Sequence, residues 1–282
     1  MSKPAFSFEF FPAKSEVGHE KLLSTFDELN ELSPAYFSVT YGAGGSTRDR
    51  TLSIVEALNG RSDTPITPHI SCIGDDKKQI AELLDHYQQL GIKRLVALRG
   101  DLPSGQVGMG QLPFALDLVR FIREHSGDYF NIEVAAYPEM HPQARSFMFD
   151  IDNLVNKYNA GANAAITQFF YNADSYLYLR DALEQRGIDT DDKPLVAGIM
   201  PITNSSNLIR FADSCGADIP RYLRRKLSDF GDDTKAIREF GFEVVFRLCE
   251  RLINEGVPAM HFYSMNKVEP NKRLVQALGL IT

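Results

Sequence analysis

The feature that most constrains the fold is an eightfold alternation of short apolar or β-branched runs with longer amphipathic stretches. The runs have the length and composition of strands, and the stretches between them have the apolar spacing of helices. Strands that alternate with helices usually run parallel, and eight such units in 282 residues fit a closed barrel better than an open doubly wound sheet. We therefore predict an α/β fold, a (β/α)8 TIM barrel that forms a single domain over residues 1–282. The predicted strands cover residues 5–11, 35–41, 66–72, 93–99, 131–137, 163–170, 194–200 and 259–265.

Glycines mark the ends of several predicted helices. Glycine tolerates the left-handed backbone that closes a helix before the next strand begins. The sequence predicts a long helical region from about Asn204 to Glu255. It does not predict how this region divides into helices. The helix-ending glycines are Gly60, Gly91, Gly127, Gly161, Gly187 and Gly256.

Composition narrows the class of protein. With 44% hydrophobic and 24% charged residues the chain is typical of a soluble globular protein. A net charge of -7 gives no electrostatic footprint for nucleic acid, and the basic cluster at residues 221–226 is interpreted as a solvated helix face. The N-terminus lacks a secretory signal and no apolar segment has membrane-spanning length, so we predict a cytoplasmic protein without a membrane partner.

Several common catalytic and metal-binding motifs are absent from the sequence. The first strand–helix turn has no GxGxxG cradle, and neither HExxH, GxSxG nor a P-loop occurs. The three cysteines, Cys72, Cys215 and Cys249, show no CxxC pair, and we expect them to be reduced and structural. No metal site is predicted.

Polar residues at the predicted strand ends carry the chemistry, because the C-terminal ends of barrel strands form the catalytic face. Glu9 in "FSFEFFP" is either a general acid poised by its apolar surround or a salt-bridged carboxylate, and chemistry alone leaves the two open. Residue type alone favours the interpretation of Asp101 as a turn residue over its interpretation as a second catalytic carboxylate. A single histidine near a strand end is more typical of a structural group, so we interpret His69 as structural in preference to a ligand contact. Arg99-Gly100-Asp101 is either an adhesion triplet or a turn after the fourth strand.

Eight segments occur together and in order, and together they resemble the bacterial methylenetetrahydrofolate reductase family. The resemblance implies that FAD takes a hydride from NADH and passes it to 5,10-methylenetetrahydrofolate by ping-pong kinetics. The product is 5-methyltetrahydrofolate, which supplies methyl groups for methionine synthesis. A homo-oligomer is also implied. The segments are "FSFEFFP", "FSVTYGAGGSTRDRT", "PHISC", "VALRGDLP", "AAYPEMHP", "GANAAITQFFY", "GIMPI" and "HFYSMN".

The resemblance assigns roles residue by residue. Glu9 matches the general acid, Asp101 a catalytic residue at the folate and flavin, and Gln168 the glutamine that contacts pterin and nicotinamide. Thr40 and Phe211 fall at NADH or folate contacts. Because Arg99, Gly100 and Asp101 match flavin positions, this triplet is expected to be a cofactor turn after the fourth strand. The positions implied to bind FAD are Tyr41, Ala43, His69, Arg99, Gly100, Asp101, Ala115, Tyr137, His141, Asp150, Asn153, Asn156 and Lys157.

Three of the implied positions depart from the family pattern. Asn156 replaces an Arg near the flavin phosphates. Lys267 replaces an Arg near the substrate and loses its planar fork. Asn207 replaces a longer Gln. We expect these changes to affect affinity and not the reaction.

Two alternatives stay open. One is a related barrel reductase that takes electrons from a partner flavoprotein or ferredoxin, and the other is a barrel that binds folate or flavin without turnover. Because the sequence ends soon after the eighth unit, we expect no regulation by S-adenosylmethionine through a further C-terminal domain.

Overall fold

A computed structural model describes residues 3–41, 45–100 and 110–281, with the side chains of residues 45–47 left out. The eight strands close into a parallel barrel in chain order, β1 to β8. The predicted fold class is thereby confirmed. The strands are β1 Ala5–Phe10, β2 Phe37–Val39, β3 Ile66–Ser71, β4 Arg94–Leu98, β5 Asn131–Ala136, β6 Ala164–Thr167, β7 Leu195–Ile199 and β8 Ala259–Tyr263.

Ten helices occupy the described residues. The region left open by the sequence contains three of them, α7 to α9. A left-handed Gly216 (φ 75°) ends the first of these, and Gly231 (φ 53°) lies between the other two. The helices are α1 Glu16–Asn30, α2 Gly45–Asn59, α3 Lys77–Gln89, α4 Ala115–Ser126, α5 Phe147–Asn159, α6 Ala173–Glu184, α7 Ser205–Cys215, α8 Arg221–Asp229, α9 Thr234–Asn254 and α10 Glu269–Ala277.

The chain groups into two compact units. One contains residues 7–135 and 156–165, and the other contains the segment up to residue 6, residues 136–155 and the chain from residue 166 onward. That residues 1–282 form a single domain stays a prediction. Within the described parts of the chain, no helix combines the length and the apolar character needed to cross a membrane.

Two local expectations were wrong. Gly60 does not adopt the left-handed backbone, whereas the other five predicted helix-ending glycines do, with φ between 58° and 115°. The sixth strand ends at Thr167 instead of continuing to residue 170. The aromatic side chains beyond it are buried by turn packing: Phe170 stacks on Tyr176, and the Tyr171 hydroxyl donates to the Met200 carbonyl (3.1 Å).

Ring packing decides which way the first strand faces. Phe8 and Phe10 pack against Phe37 of β2, with ring centroids 5.8 and 5.4 Å away, and Phe26 of α1 lies 4.6 Å from Phe37. These rings therefore point to the helix layer. Successive strand residues point to opposite faces, so Glu9 points into the barrel.

Candidate active site

Glu9 lies beside His69 inside the barrel. Glu9 Oε2 is 3.4 Å from His69 Nε2, and the two side chains are 17% and 8% exposed. His69 is on the inward face of β3, because its neighbour Pro68 pairs with Val39, which shares the outward face of Phe37. Because the Glu9 side chain is 17% exposed, its carboxylate keeps some access to water. It also faces an imidazole that can donate a proton or accept one.

The turn after β4 is pinned by the end of β3. The Arg99 carbonyl accepts from the Ser71 hydroxyl (2.8 Å), the Cys72 thiol (3.5 Å) and the Ile73 N–H (3.0 Å). Burial raises the pKa of the Cys72 thiol to about 11, so it stays a protonated donor at neutral pH. Asp101 lies outside the described residues.

Gly100 is required in this turn for two reasons. Its φ is 86°, and a Cβ at this position would lie 2.0 Å from the Ser71 hydroxyl oxygen. Side chains with a Cβ rarely adopt that backbone conformation. A larger residue would therefore both strain the turn and push away the serine that holds Arg99.

Thr40 and Tyr41 follow β2. The Tyr41 hydroxyl donates to Asp75 Oδ2 (2.8 Å), and burial together with this acceptor raises the pKa of Tyr41, so the phenol stays neutral. Thr40 is held through its main chain, because its N–H donates to the Phe10 carbonyl (2.8 Å). Ala115 is the first residue of α4. Ala43 lies outside the described residues.

Tyr137 and His141 lie together after β5. The imidazole meets the tyrosine ring edge-on, with centroids 4.6 Å apart. Asp150 Oδ2 accepts from the His141 main-chain N–H (2.8 Å), and His141 Nδ1 accepts from the Gln143 N–H (3.0 Å). Because Nδ1 is an acceptor, the neutral imidazole carries its proton on Nε2.

Three predicted flavin residues share one face of α5. Asp150, Asn153 and Lys157 are spaced three and four residues apart, which aligns their side chains along a helix. The Lys157 ammonium donates to the Ala135 carbonyl (2.6 Å). Asn156, one of the three departures from the family pattern, is exposed.

Gln168 follows β6 directly. Its side-chain oxygen accepts from the Phe169 N–H (3.0 Å), and its own N–H donates to the Ala136 carbonyl (2.8 Å). Both the main chain and the amide side chain of Gln168 are therefore held. The amide nitrogen is the end of the side chain that carries two N–H donors.

The predicted substrate residues Asn207 and Phe211 lie on α7. Arg210 contacts both, because it donates to Asn207 Oδ1 (3.1 Å) and its guanidinium is 5.4 Å from the Phe211 ring centre. Lys267 donates to Thr203 Oγ1 (3.3 Å), just before this helix begins. Among the described residues, no group of three or more His, Cys, Asp or Glu side chains is arranged to hold a metal ion.

Comparisons with known proteins decide the family. The profile of the family described as "Methylenetetrahydrofolate reductase" matches residues 1–279. The chain belongs to the methylenetetrahydrofolate reductase family. It is 39% identical to the 5,10-methylenetetrahydrofolate reductase of Pectobacterium carotovorum and 38% identical to that of Escherichia coli K12. Each match spans 274 residues, 97% of this chain and 90% of the relative.

Two further proteins are less similar to this chain. Methylenetetrahydrofolate reductase (NADH) 1 of Arabidopsis thaliana is 36% identical over 98% of this chain and 48% of its own length. Among solved structures, an uncharacterised protein from Clostridium thermocellum, described as binding two copies of 5-methyl-5,6,7,8-tetrahydrofolic acid, has a TM-score of 0.68 at 15% identity. It covers 99% of this chain and 96% of its own. At that identity the likeness shows the fold alone.

Membership in the methylenetetrahydrofolate reductase family directs attention to supporting residues that the sequence did not single out. Ser71 and Asp75 hold predicted flavin positions, and fully buried Asn271 donates to the Lys267 carbonyl (2.7 Å). Ser71 lies within the "PHISC" segment, so its place in a motif was a usable signal. Asn271 gave another, as a polar residue at a buried position of an amphipathic helix.

Proposed function

We propose that the chain catalyses the reduction of 5,10-methylenetetrahydrofolate to 5-methyltetrahydrofolate, with NADH as electron donor and FAD as resident cofactor. The family match over residues 1–279 supports the reductase activity. Relatives carrying the NADH designation support the donor. The observation that carries the catalytic part is the position of Glu9 inside the barrel, partly open to water and 3.4 Å from His69.

The described residues fit a flavin dinucleotide. Arg99 and Lys157 offer cationic donors to phosphates, and an ammonium with three N–H groups can serve a second acceptor besides the Ala135 carbonyl. His69, Tyr137 and His141 add donors and ring surfaces suited to a flavin. When bound, FAD supplies reversible hydride transfer, which allows donor and folate to react in turn by ping-pong kinetics.

Glu9 is the proton source in this proposal. A protonated Glu9 carboxyl donates to a nitrogen of the five-membered folate ring, and the ring opens to an iminium carbon that accepts hydride. His69 orients the carboxyl from 3.4 Å away. Because the Glu9 side chain is 17% exposed, water can return a proton to it after each turnover.

The remaining residues bind and orient the substrates. Gln168 presents its amide to the pterin or nicotinamide ring, and Phe211 offers an aromatic face to the same ligands, with Thr40 at the nicotinamide. Asn207 and Lys267 bind the folate, and Asp101 contacts folate and flavin. The proposal also includes a homo-oligomeric, cytoplasmic enzyme that supplies methyl groups for methionine synthesis.

The test is an anaerobic absorbance spectrum of the protein loaded with FAD. We expect NADH to bleach the oxidised flavin band and methylenetetrahydrofolate to restore it. A bound flavin that NADH leaves oxidised would instead favour a partner flavoprotein or ferredoxin as donor. Failure to bind flavin at all would remove the proposed chemistry.

A further inference from the structure

We propose that Glu139 is a positioning residue that joins the loop after β5, residues 137–142 (the β5 loop), to the C-terminal end of α7. The proposal rests on the proposed function, in which the β5 loop carries flavin contacts and α7 carries folate contacts. Glu139 itself contacts neither ligand. Its role is to set where the substrate helix lies relative to the flavin loop.

A short hydrogen bond makes the connection. The main-chain N–H of Asp218 donates to Glu139 Oε2 at 2.6 Å, between residues that lie 79 positions apart in the sequence. Asp218 comes three residues after α7 ends at Cys215. The carboxylate is half-buried, and this burial, with the nearby charge of Asp218, raises the pKa of Glu139 even though the Asp218 N–H bond lowers it. Breaking the bond removes the acceptor of the Asp218 N–H, which costs free energy.

A second contact joins the same two segments. A Cβ at Gly216, the left-handed cap of α7, would lie 2.7 Å from Pro142 Cγ in the β5 loop. The helix end and the loop therefore pack at a distance that only glycine permits. Glu139 and Pro142 hold the same helix end from two positions of one loop.

The β5 loop is also strained. Met140, the residue after Glu139, has φ 84°, a conformation that residues other than glycine seldom adopt. Strained backbone persists where surrounding contacts over-determine it, and such positions cluster at ligand sites. The Glu139 and Pro142 contacts flank Met140 and supply that constraint.

The connection lies next to a predicted substrate residue. Glu139 and Gln168 line one small cleft, together with Cys215 and Ala217 at the end of α7. Tyr137 and His141 belong to the loop that this connection holds, and Asn207 and Phe211 belong to the helix that it holds. A shift of α7 against the β5 loop therefore changes the folate contacts without removing a flavin contact.

The bond needs an acceptor oxygen at residue 139 and a main-chain donor at residue 218. Glu139→Leu removes the acceptor at similar volume, whereas Glu139→Gln keeps one. Asp218→Asn changes the charge but leaves the main-chain N–H in place. The two conservative variants are therefore matched controls for the leucine variant.

The experiment uses the full chain loaded with FAD, reduced anaerobically with dithionite. Reoxidation is followed against methylenetetrahydrofolate concentration, and separately with menadione, a small acceptor that is not a folate. We expect Glu139→Leu to weaken the apparent folate affinity about tenfold while FAD retention and menadione reoxidation stay at wild-type values. Glu139→Gln and Asp218→Asn should both retain folate affinity within about twofold of wild type.

Three results would overturn the proposal. Wild-type folate affinity in Glu139→Leu would show that the bond positions nothing. Equally weak affinity in Glu139→Gln would show that the acceptor oxygen is not what matters. If the leucine variant fails to hold FAD, or loses the menadione reaction together with the folate reaction, Glu139 has a purely structural role. Failure of the proposed function is distinguished by the wild-type protein, whose reduced flavin would then not be reoxidised by the folate.

Discussion

Two carboxylates on barrel strands, Glu133 of β5 and Glu9 of β1, have similar sequence surroundings and opposite environments. Glu133 in "NIEVAA" is fully buried, pairs with Arg94 and accepts from the Tyr36 hydroxyl (2.9 Å). The Arg94 guanidinium also lies over the Tyr36 ring, 4.4 Å from its centre. Glu9 in "FSFEFF" is 17% exposed and faces His69 across 3.4 Å.

The difference teaches that partners, and not apolar flanks, separate a structural carboxylate from the one that we propose to be reactive. A buried carboxylate that is already paired with a cation and a hydroxyl has its acceptor oxygens occupied by the protein. Burial, followed by the Glu133 charge, raises the pKa of Tyr36, so the phenol remains a neutral donor to that carboxylate. Glu9 keeps access to water, which proton transfer requires.

The largest expected effect on stability is that of replacing Glu133, and it should distinguish Glu133 from Glu9. Glu133→Ala should lower the free energy of unfolding by about 3–5 kcal/mol, because it leaves the Arg94 guanidinium and the Tyr36 hydroxyl without their buried acceptor. Glu9→Ala should lower it by about 1 kcal/mol or less. Urea denaturation of both variants measures the difference, and equal losses would break the comparison.

A pair of glycines tests whether the turn after β4 is held as tightly as Glu133 is held by Arg94 and Tyr36. Gly100→Ala should cost about 2–4 kcal/mol of stability, from a left-handed backbone plus a clash with Ser71. Gly91→Ala is the matched control, since its φ is 75° and a Cβ there meets no atom within 4 Å. It should cost only about 1 kcal/mol. Denaturant midpoints of the two variants decide, and similar losses would show that Ser71 yields freely.

The smallest expected effect concerns Glu139, a carboxylate intermediate between the other two. Its folded pKa is raised above 4.5, chiefly by burial, so between the unfolded and folded pKa values the folded state binds more protons than the unfolded state. The contribution of this residue to stability is therefore lost as the pH rises through that window. Glu139→Gln should remove this slope. Unfolding curves from pH 4 upward check it, and a constant difference between variant and wild type would contradict it.

Much of the fold follows from the sequence because apolar residues recur at different spacings in strands and in helices. Eight apolar runs separated by amphipathic stretches predicted the closed barrel, whose strands pair in chain order. The end of β6 was predicted three residues late, since Phe169 and Phe170 suit a strand but are buried by turn packing. The division of the stretch from Asn204 to Glu255 into three helices was not predicted.

The sequence names candidate site residues but not the contacts that support them. Motifs named Glu9, His69 and Gln168, because their chemistry stands out at strand ends. Neither the Glu139 contact with Asp218, 79 residues away, nor the buried Arg94–Glu133 pair has a local sequence signal. Long-range contacts of this kind depend on where the closed barrel brings each strand end.

The most direct test of the account is the rate at which methylenetetrahydrofolate reoxidises the reduced flavin of Glu9→Gln. The substitution keeps the size of the side chain but removes its transferable proton. We expect that rate to fall about 100- to 10,000-fold, while NADH still reduces the flavin as in wild type. Reoxidation of the variant at the wild-type rate would contradict the assignment of Glu9 as the acid and, with it, the distinction drawn from Glu133.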